Sequence, residues 1–148
     1  MRTIVRVAAM GILCAASATH AHGQVTPERL VNSAKEPQNW LTYSGDYAGR
    51  RFSTLDQITI GNVHSVIAKW VYQTGATGKF ETTPLVVDGV LYATGPDDRA
   101  FALDARSGRP LWLYQRQLPG DIRPCCGRVN RGLAILGDKV FMLSLIHI

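Results

Sequence analysis

The sequence is poor in the residues that build most catalytic and metal centres. Only three of its 148 residues are cysteine, Cys14, Cys125 and Cys126, and no C-x-x-C pair occurs. Two adjacent sulfurs alone cannot set the tetrahedral geometry of a structural zinc. Neither G-x-S-x-G nor H-E-x-x-H is present, which removes the commonest hydrolase signatures. Charged residues make up only 18%, and the sixteen Lys and Arg stand singly apart from Arg50-Arg51. No basic run tracks a phosphate backbone, so nucleic acid is excluded as a partner class despite the net charge of +5. Long apolar runs are missing too: the one near the start, at about a dozen residues, is too short to span a bilayer. Helical periodicity is absent after about residue 65. What remains is 46% hydrophobic, enough to bury the core of one ordered domain.

The early apolar run belongs to a targeting segment. Arg2 and Arg6 form a positive n-region, residues 7–18 are apolar and mostly small, and Ala16-Ser17-Ala18 or Thr19-His20-Ala21 offers a cleavage site. Residues 1–21 therefore read as a secretory signal peptide. Cys14 follows Gly11-Ile12-Leu13 rather than small residues, which argues against a lipid anchor there. Cleavage removes Cys14 and leaves Cys125 and Cys126 in an oxidising compartment, each with no intramolecular partner but the other. Adjacent trans Cα atoms lie about 3.8 Å apart, below the roughly 4.4–6.8 Å usual for a disulfide, so a ring between them distorts the intervening peptide. A vicinal disulfide is the expectation; free thiols, or thiols paired to another chain, are the alternatives. Strain of that kind gathers at ligand clamps, which makes this corner the candidate binding site.

Residues 22–60 read as an N-terminal extension. Thr26 caps a short helix, Pro27 suits its first position, Leu30, Val31 and Ala34 give it one apolar face, and Pro37 stops it. Residues 40–56, rich in Tyr, Gly, Ser and Asp, read as an irregular segment over β-structure, and Arg50-Arg51-Phe52 as a solvated face with a packed ring. Over residues 61–142 the signal is repetition. Trp70-Val71-Tyr72-Gln73 recurs as Trp112-Leu113-Tyr114-Gln115, 42 residues on, and the hairpin around Asp88-Gly89 is echoed around Gly137-Asp138, 49 residues on. Periods of about 40 to 50 residues with turns between short β-rich runs mark propeller blades. The fold class is all-β: the first two to three blades of an incomplete β-propeller, fewer than the roughly four a closed ring needs. Asp97-Asp98, after Gly95-Pro96, reads as a loop turn rather than a metal site. Residues 143–148 form an apolar run with no polar cap and are expected to be a non-native tail, His147 included, on an N-terminal piece of a longer protein.

These residues together resemble one family. The run from Ala102 through Asp104, Ser107 and Gly108 to Trp112 fits the A-x-D-x-x-[TS]-G-x-x-x-W docking motif repeated through the quinoprotein alcohol dehydrogenase propellers. Tyr43-Ser44-Gly45-Asp46, Arg51-Phe52-Ser53, Asn62-Val63 and Trp70 resemble the family's N-terminal signature, and Glu81-Thr82-Thr83-Pro84 its first cofactor-contacting motif. Cys125-Cys126 followed by Val129-Asn130-Arg131-Gly132 resembles its vicinal-disulfide motif, although Gly127-Arg128 stands where many relatives carry an acidic or polar pair. The resemblance covers residues 40–142. It implies an eight-bladed periplasmic propeller that binds pyrroloquinoline quinone (PQQ), a flat ortho-quinone with three carboxylates, beside a calcium or lanthanide ion. It casts Glu81, Cys125, Cys126, Val129 and Arg131 as cofactor-binding residues, and Trp70 and Trp112 as wedges that dock neighbouring blades. The catalytic aspartate and the metal ligands are expected outside this chain. The implied reaction oxidises primary alcohols to aldehydes and passes electrons to a cytochrome c, the chain alone being inactive; a homodimer or a small subunit is the implied assembly. Two rival readings are a non-catalytic periplasmic scaffold of the outer-membrane assembly type and a quinoprotein sugar dehydrogenase, neither expected to carry adjacent cysteines.

Overall fold

Asp88 and Gly89 turn the chain with φ of 48° and 82°, the two positive values that a type I′ hairpin turn requires. In the computed structural model, which describes residues 24–144, that turn joins β1 (Leu85–Val87) to β2 (Val90–Gly95). The signal peptide and residues 145–148 of the expected tail lie outside the described residues. β3 (Arg99–Asp104) and β4 (Pro110–Gln115) complete a four-stranded antiparallel meander in the order β1-β2-β3-β4. A second, two-stranded sheet pairs β5 (Leu133–Leu136) with β6 (Lys139–Met142). Its two-residue loop opens on Gly137 at φ 62°, the glycine-first pattern of a type II′ turn. The described residues thus hold one whole blade-like sheet and one further hairpin.

β1, β2 and β3 carry the buried residues of the meander, on both of its faces, whereas β4 is exposed along its whole length. On one face Leu85 and Val87 join Val25, Leu30, Leu41 and Ile135 in a core against which Trp40, Tyr92 and Leu133 pack. On the other, Ala93, Phe101 and Leu103 form a cluster covered by Trp70 and Tyr72. Each fully buried Leu or Val here contributes about 1.5–3 kcal/mol relative to exposure.

The N-terminal extension stitches the two sheets together. Val25 exchanges backbone hydrogen bonds with Gly137 at 3.0 and 2.8 Å, and Trp40 does the same with Val86 at 2.8 and 3.0 Å. Between these staples lies α1 (Pro27–Val31), capped by the Thr26 hydroxyl, which accepts from the Arg29 amide at 3.3 Å. Leu30 is its buried residue; Val31 faces solvent, so the apolar face is narrower than the sequence suggested, because the helix ends after five residues and a 3₁₀ turn (Ser33–Lys35) follows. Arg29 bonds Glu36 at 2.6 Å and the hairpin residue Asp88 at 2.8 Å, tying the helix to the sheet.

The strand expected at Trp70-Val71-Tyr72-Gln73 carries no ladder. The segment after a 3₁₀ turn (Val63–Ser65) is extended, with Trp70, Tyr72, Thr74 and Ala76 partly buried and the residues between them exposed. That two-residue alternation is strand geometry, but no neighbouring strand among the described residues accepts its backbone bonds.

Candidate cofactor-binding corner

Trp70 explains the repeated motif. Its indole N–H donates to the Ala105 carbonyl at 3.1 Å, and its ring lies over Gly108, where an added Cβ would sit 2.5 Å from the ring. Asp104 shapes the platform: its Oδ1 accepts from the Arg106 and Ser107 amides at 3.1 and 2.8 Å and from the Ser107 hydroxyl at 2.7 Å. These bonds, the one with the Ser107 side chain foremost, hold the Asp104 carboxyl below the usual carboxylate range. Ala102, fully buried, leaves room for the β3–β4 bulge beside it. Alanine, aspartate, serine and glycine are thus the parts of one turn on which the preceding repeat's tryptophan rests. Trp112 packs by contrast against Tyr92, centroids 6.1 Å apart, and remains partly exposed.

The cysteine corner is built on a tight turn. The Gly127 amide donates to the Pro124 carbonyl at 3.2 Å, with Gly127 at φ 88°, so Cys125 and Cys126 occupy the turn's two central positions. Both are exposed thiols with their sulfurs 3.0 Å apart, where the sequence reading expected a disulfide. The hydrogen bond with Cys125 is the main influence raising the Cys126 pKa; Arg131 acts against it and Glu81 with it. Arg128 does not face the sulfurs. Its guanidinium turns back to Asp97 at 3.1 Å and donates to the Pro119 and Gly120 carbonyls, while its own carbonyl accepts from the Asp97 amide at 3.0 Å. The departure from the family pattern at this position therefore fastens the loop to the β2–β3 turn instead of charging the corner.

Past the turn, Arg131 meets Glu81, Nη2 to Oε2, at 3.0 Å. The two come from segments joined by a parallel bridge between Thr83 and Gly132, and the Thr83 amide donates to the Arg131 carbonyl at 3.1 Å. Gly132 sits at φ 134°, and a Cβ there would lie 3.0 Å from the Thr83 carbonyl oxygen, so only glycine allows the approach. Glu81 precedes this bridge on irregular backbone. Val129 is buried and lines, with Arg131, Phe141 and Leu143, an open cavity of about 610 Å³; Glu81 and the cysteines stand outside its lining. The structure thus brings Glu81, Arg131 and Cys126 within electrostatic reach and puts Val129 beside them, while Trp70 and Trp112 stand apart in the blade.

Thr82, Thr94 and Asn130 have no individual role legible in the sequence, and Asp98 is legible there only as part of a loop turn. The fully buried Thr94 donates its hydroxyl to the Asn130 carbonyl at 3.1 Å, and its amide donates to the Thr82 hydroxyl at 3.0 Å. Asp97 and Asp98 form a turn at φ 60° and 51°, with their carboxylates engaged by Arg128, Asn130 and Ser144. Among the described residues no group of three His, Cys, Asp or Glu stands close enough to hold a metal ion, and no helix is long and apolar enough to cross a membrane.

A four-stranded meander docked by a tryptophan on an aspartate–glycine turn, with a Glu–Arg pair beside adjacent cysteines, defines a blade of the quinoprotein dehydrogenase class. Residues 40–140 match the family described as PQQ glucose/ethanol/alcohol dehydrogenase, beta-propeller domain, and the chain belongs to that family. It is 44% identical over 144 residues to the 1-butanol dehydrogenase (quinone) of Thauera butanivorans, covering 96% of this chain and 22% of that protein. Among solved structures it matches the quinohemoprotein alcohol dehydrogenase ADHIIG of Pseudomonas putida HK5, with a TM-score of 0.77, 39% identity, and coverage of 82% of this chain and 18% of that one. A europium-containing methanol dehydrogenase matches with a TM-score of 0.72 and 32% identity, over 79% of this chain and 21% of that one. The chain spans about a fifth of the length of each of these relatives.

Proposed function

We propose that this chain is the N-terminal, cofactor-gripping part of a periplasmic PQQ-dependent alcohol dehydrogenase that oxidises primary alcohols to aldehydes. The observation that carries the reading is the Glu81–Arg131 pair at 3.0 Å, exposed beside two adjacent cysteines. The donor set suits PQQ. Arg131 offers a planar fork that binds a carboxylate or two oxygens at once, and its side chain is 64% exposed and so reachable. Glu81 accepts from a polar edge and orients the guanidinium by the same ion pair. Cys125 and Cys126, joined as a vicinal disulfide after export, present a rigid, polarisable face for a flat ring, and buried Val129 fills the space alongside. When bound, PQQ supplies a two-electron acceptor for alcohol oxidation. The residues here hold and orient it; the base and the ligands of a calcium or lanthanide ion are supplied from outside this chain. A cytochrome c would be the electron acceptor of the complete protein, and a homodimer or a small subunit would complete the assembly. Residues 1–21 direct export.

The test is alcohol oxidation by the full-length protein that carries this chain, with PQQ and calcium or a lanthanide, read with an artificial electron acceptor. Primary alcohols are oxidised, and residues 22–148 alone oxidise none. A full-length protein that binds PQQ and oxidises sugars but not alcohols would turn the assignment to the sugar dehydrogenases.

A further inference from the structure

Arg131 is exposed, yet the backbone that carries it is fixed at three successive residues. The Asn130 carbonyl accepts from the Thr94 hydroxyl at 3.1 Å, the Arg131 carbonyl accepts from the Thr83 amide at 3.1 Å, and the Gly132 amide donates to the Asn130 side-chain oxygen at 3.2 Å. The last bond exists only if the Asn130 amide is turned the right way. Its nitrogen donates to the Leu143 carbonyl at 2.7 Å and to Asp98 Oδ1 at 3.3 Å. Both partners are acceptors only, so they select the NH₂ end of the side chain and leave its oxygen facing Gly132. Asp98 is itself fully buried at the β2–β3 turn, and Ser144 donates to its other oxygen.

The geometry points to Asp98 and Asn130 as positioning residues for Arg131: the buried carboxylate sets the orientation of the Asn130 amide, and that amide sets the backbone from which the guanidinium reaches a carboxylate of the cofactor. The inference rests on the proposed PQQ reading and adds to it two residues from outside the contacting set. Arg128 works in parallel, since its ion pair with Asp97 fastens the cysteine turn to the same β2–β3 turn. One turn of the first blade therefore carries the register of both halves of the corner.

The experiment measures PQQ affinity by equilibrium dialysis on the full-length apoprotein, with the urea unfolding midpoint followed in parallel. Asp98→Ala weakens PQQ binding by about tenfold or more, whereas Asp98→Asn, which still presents an acceptor to Asn130, stays within about threefold of wild type. Asn130→Ala repeats the loss, and serves as the reading if Asp98→Ala does not fold. Arg131→Ala is the reference for the corner itself. If Arg131→Ala weakens binding by roughly a hundredfold while folded Asp98→Ala or Asn130→Ala binds within about twofold of wild type, the positioning roles are overturned and the corner stands. Unaltered binding by Arg131→Ala overturns the corner, and the positioning roles fall with it.

Discussion

Arg131 and Glu81 hold each other at 3.0 Å in a place where neither is deeply buried, so their pairing adds little to stability and leaves the guanidinium able to turn to an anionic ligand. What the site needs from Arg131 is the fork. Arg131→Lys keeps the charge but loses the planar fork of paired donors, and we expect PQQ affinity in the full-length protein to fall about tenfold; Arg131→Ala loses roughly a hundredfold. Dialysis against PQQ reads both, and equal affinity for the Lys variant and wild type would mean that only charge is recognised. Gly132 is the other residue with no substitute. Gly132→Ala, at φ 134° and against the Thr83 carbonyl, is expected to cost about 1–3 kcal/mol in urea unfolding, and a neutral result would show that the bridge to Thr83 yields. Glu81, Val129 and Arg131 stand out in the sequence because their types and spacing match a motif, and the structure pairs Glu81 with Arg131 and buries Val129. Asn130 stood inside the same motif without a role, because its partners Thr94, Asp98 and Leu143 come from separate elements that only folding brings together.

Elements in this chain are set by their turns. Asp88-Gly89 and Gly137 gave away both hairpins, since positive φ values leave few residue choices and those residues are visible in the sequence. Trp70 was legible as a docking wedge but not as an unladdered one: repetition reports which residues pack, whereas a ladder depends on which strand lies alongside. The contact with Gly108 is close enough to test. Gly108→Ala sets a Cβ against the indole at a residue with φ 72°, and we expect loss of about 1–3 kcal/mol with a red-shifted tryptophan emission as Trp70 lifts off. An unchanged spectrum would contradict the docking. The clamp between α1 and the β1–β2 turn has an acid signature. Bonding to Arg29 lowers the Glu36 pKa, so its contribution is present at neutral pH and is lost as the pH falls through the ordinary carboxylate range and below. Glu36→Gln should flatten the acid limb of the unfolding midpoint against pH; an identical limb would assign that acid dependence to other carboxylates, such as Asp46 and Asp104, both also held low.

For the whole molecule, the N-terminal extension matters as much as the blade. It pairs with β1 through Trp40 and with the β5–β6 loop through Val25, and its leucines complete the core between the two sheets, so the corner at Arg131 is carried on a bridged unit rather than on a free hairpin. The sequence placed this segment over β-structure, but the two staples could not be read, because single bridges leave no periodic pattern. Family membership settles the architecture and the class; the activity proposed for the complete protein rests on one corner. The most direct test is a crystal structure of that full-length protein soaked with PQQ. PQQ is expected in contact with Cys125, Cys126, Arg131 and Glu81. Electron density for PQQ at a site that touches neither Arg131 nor the cysteines would contradict it.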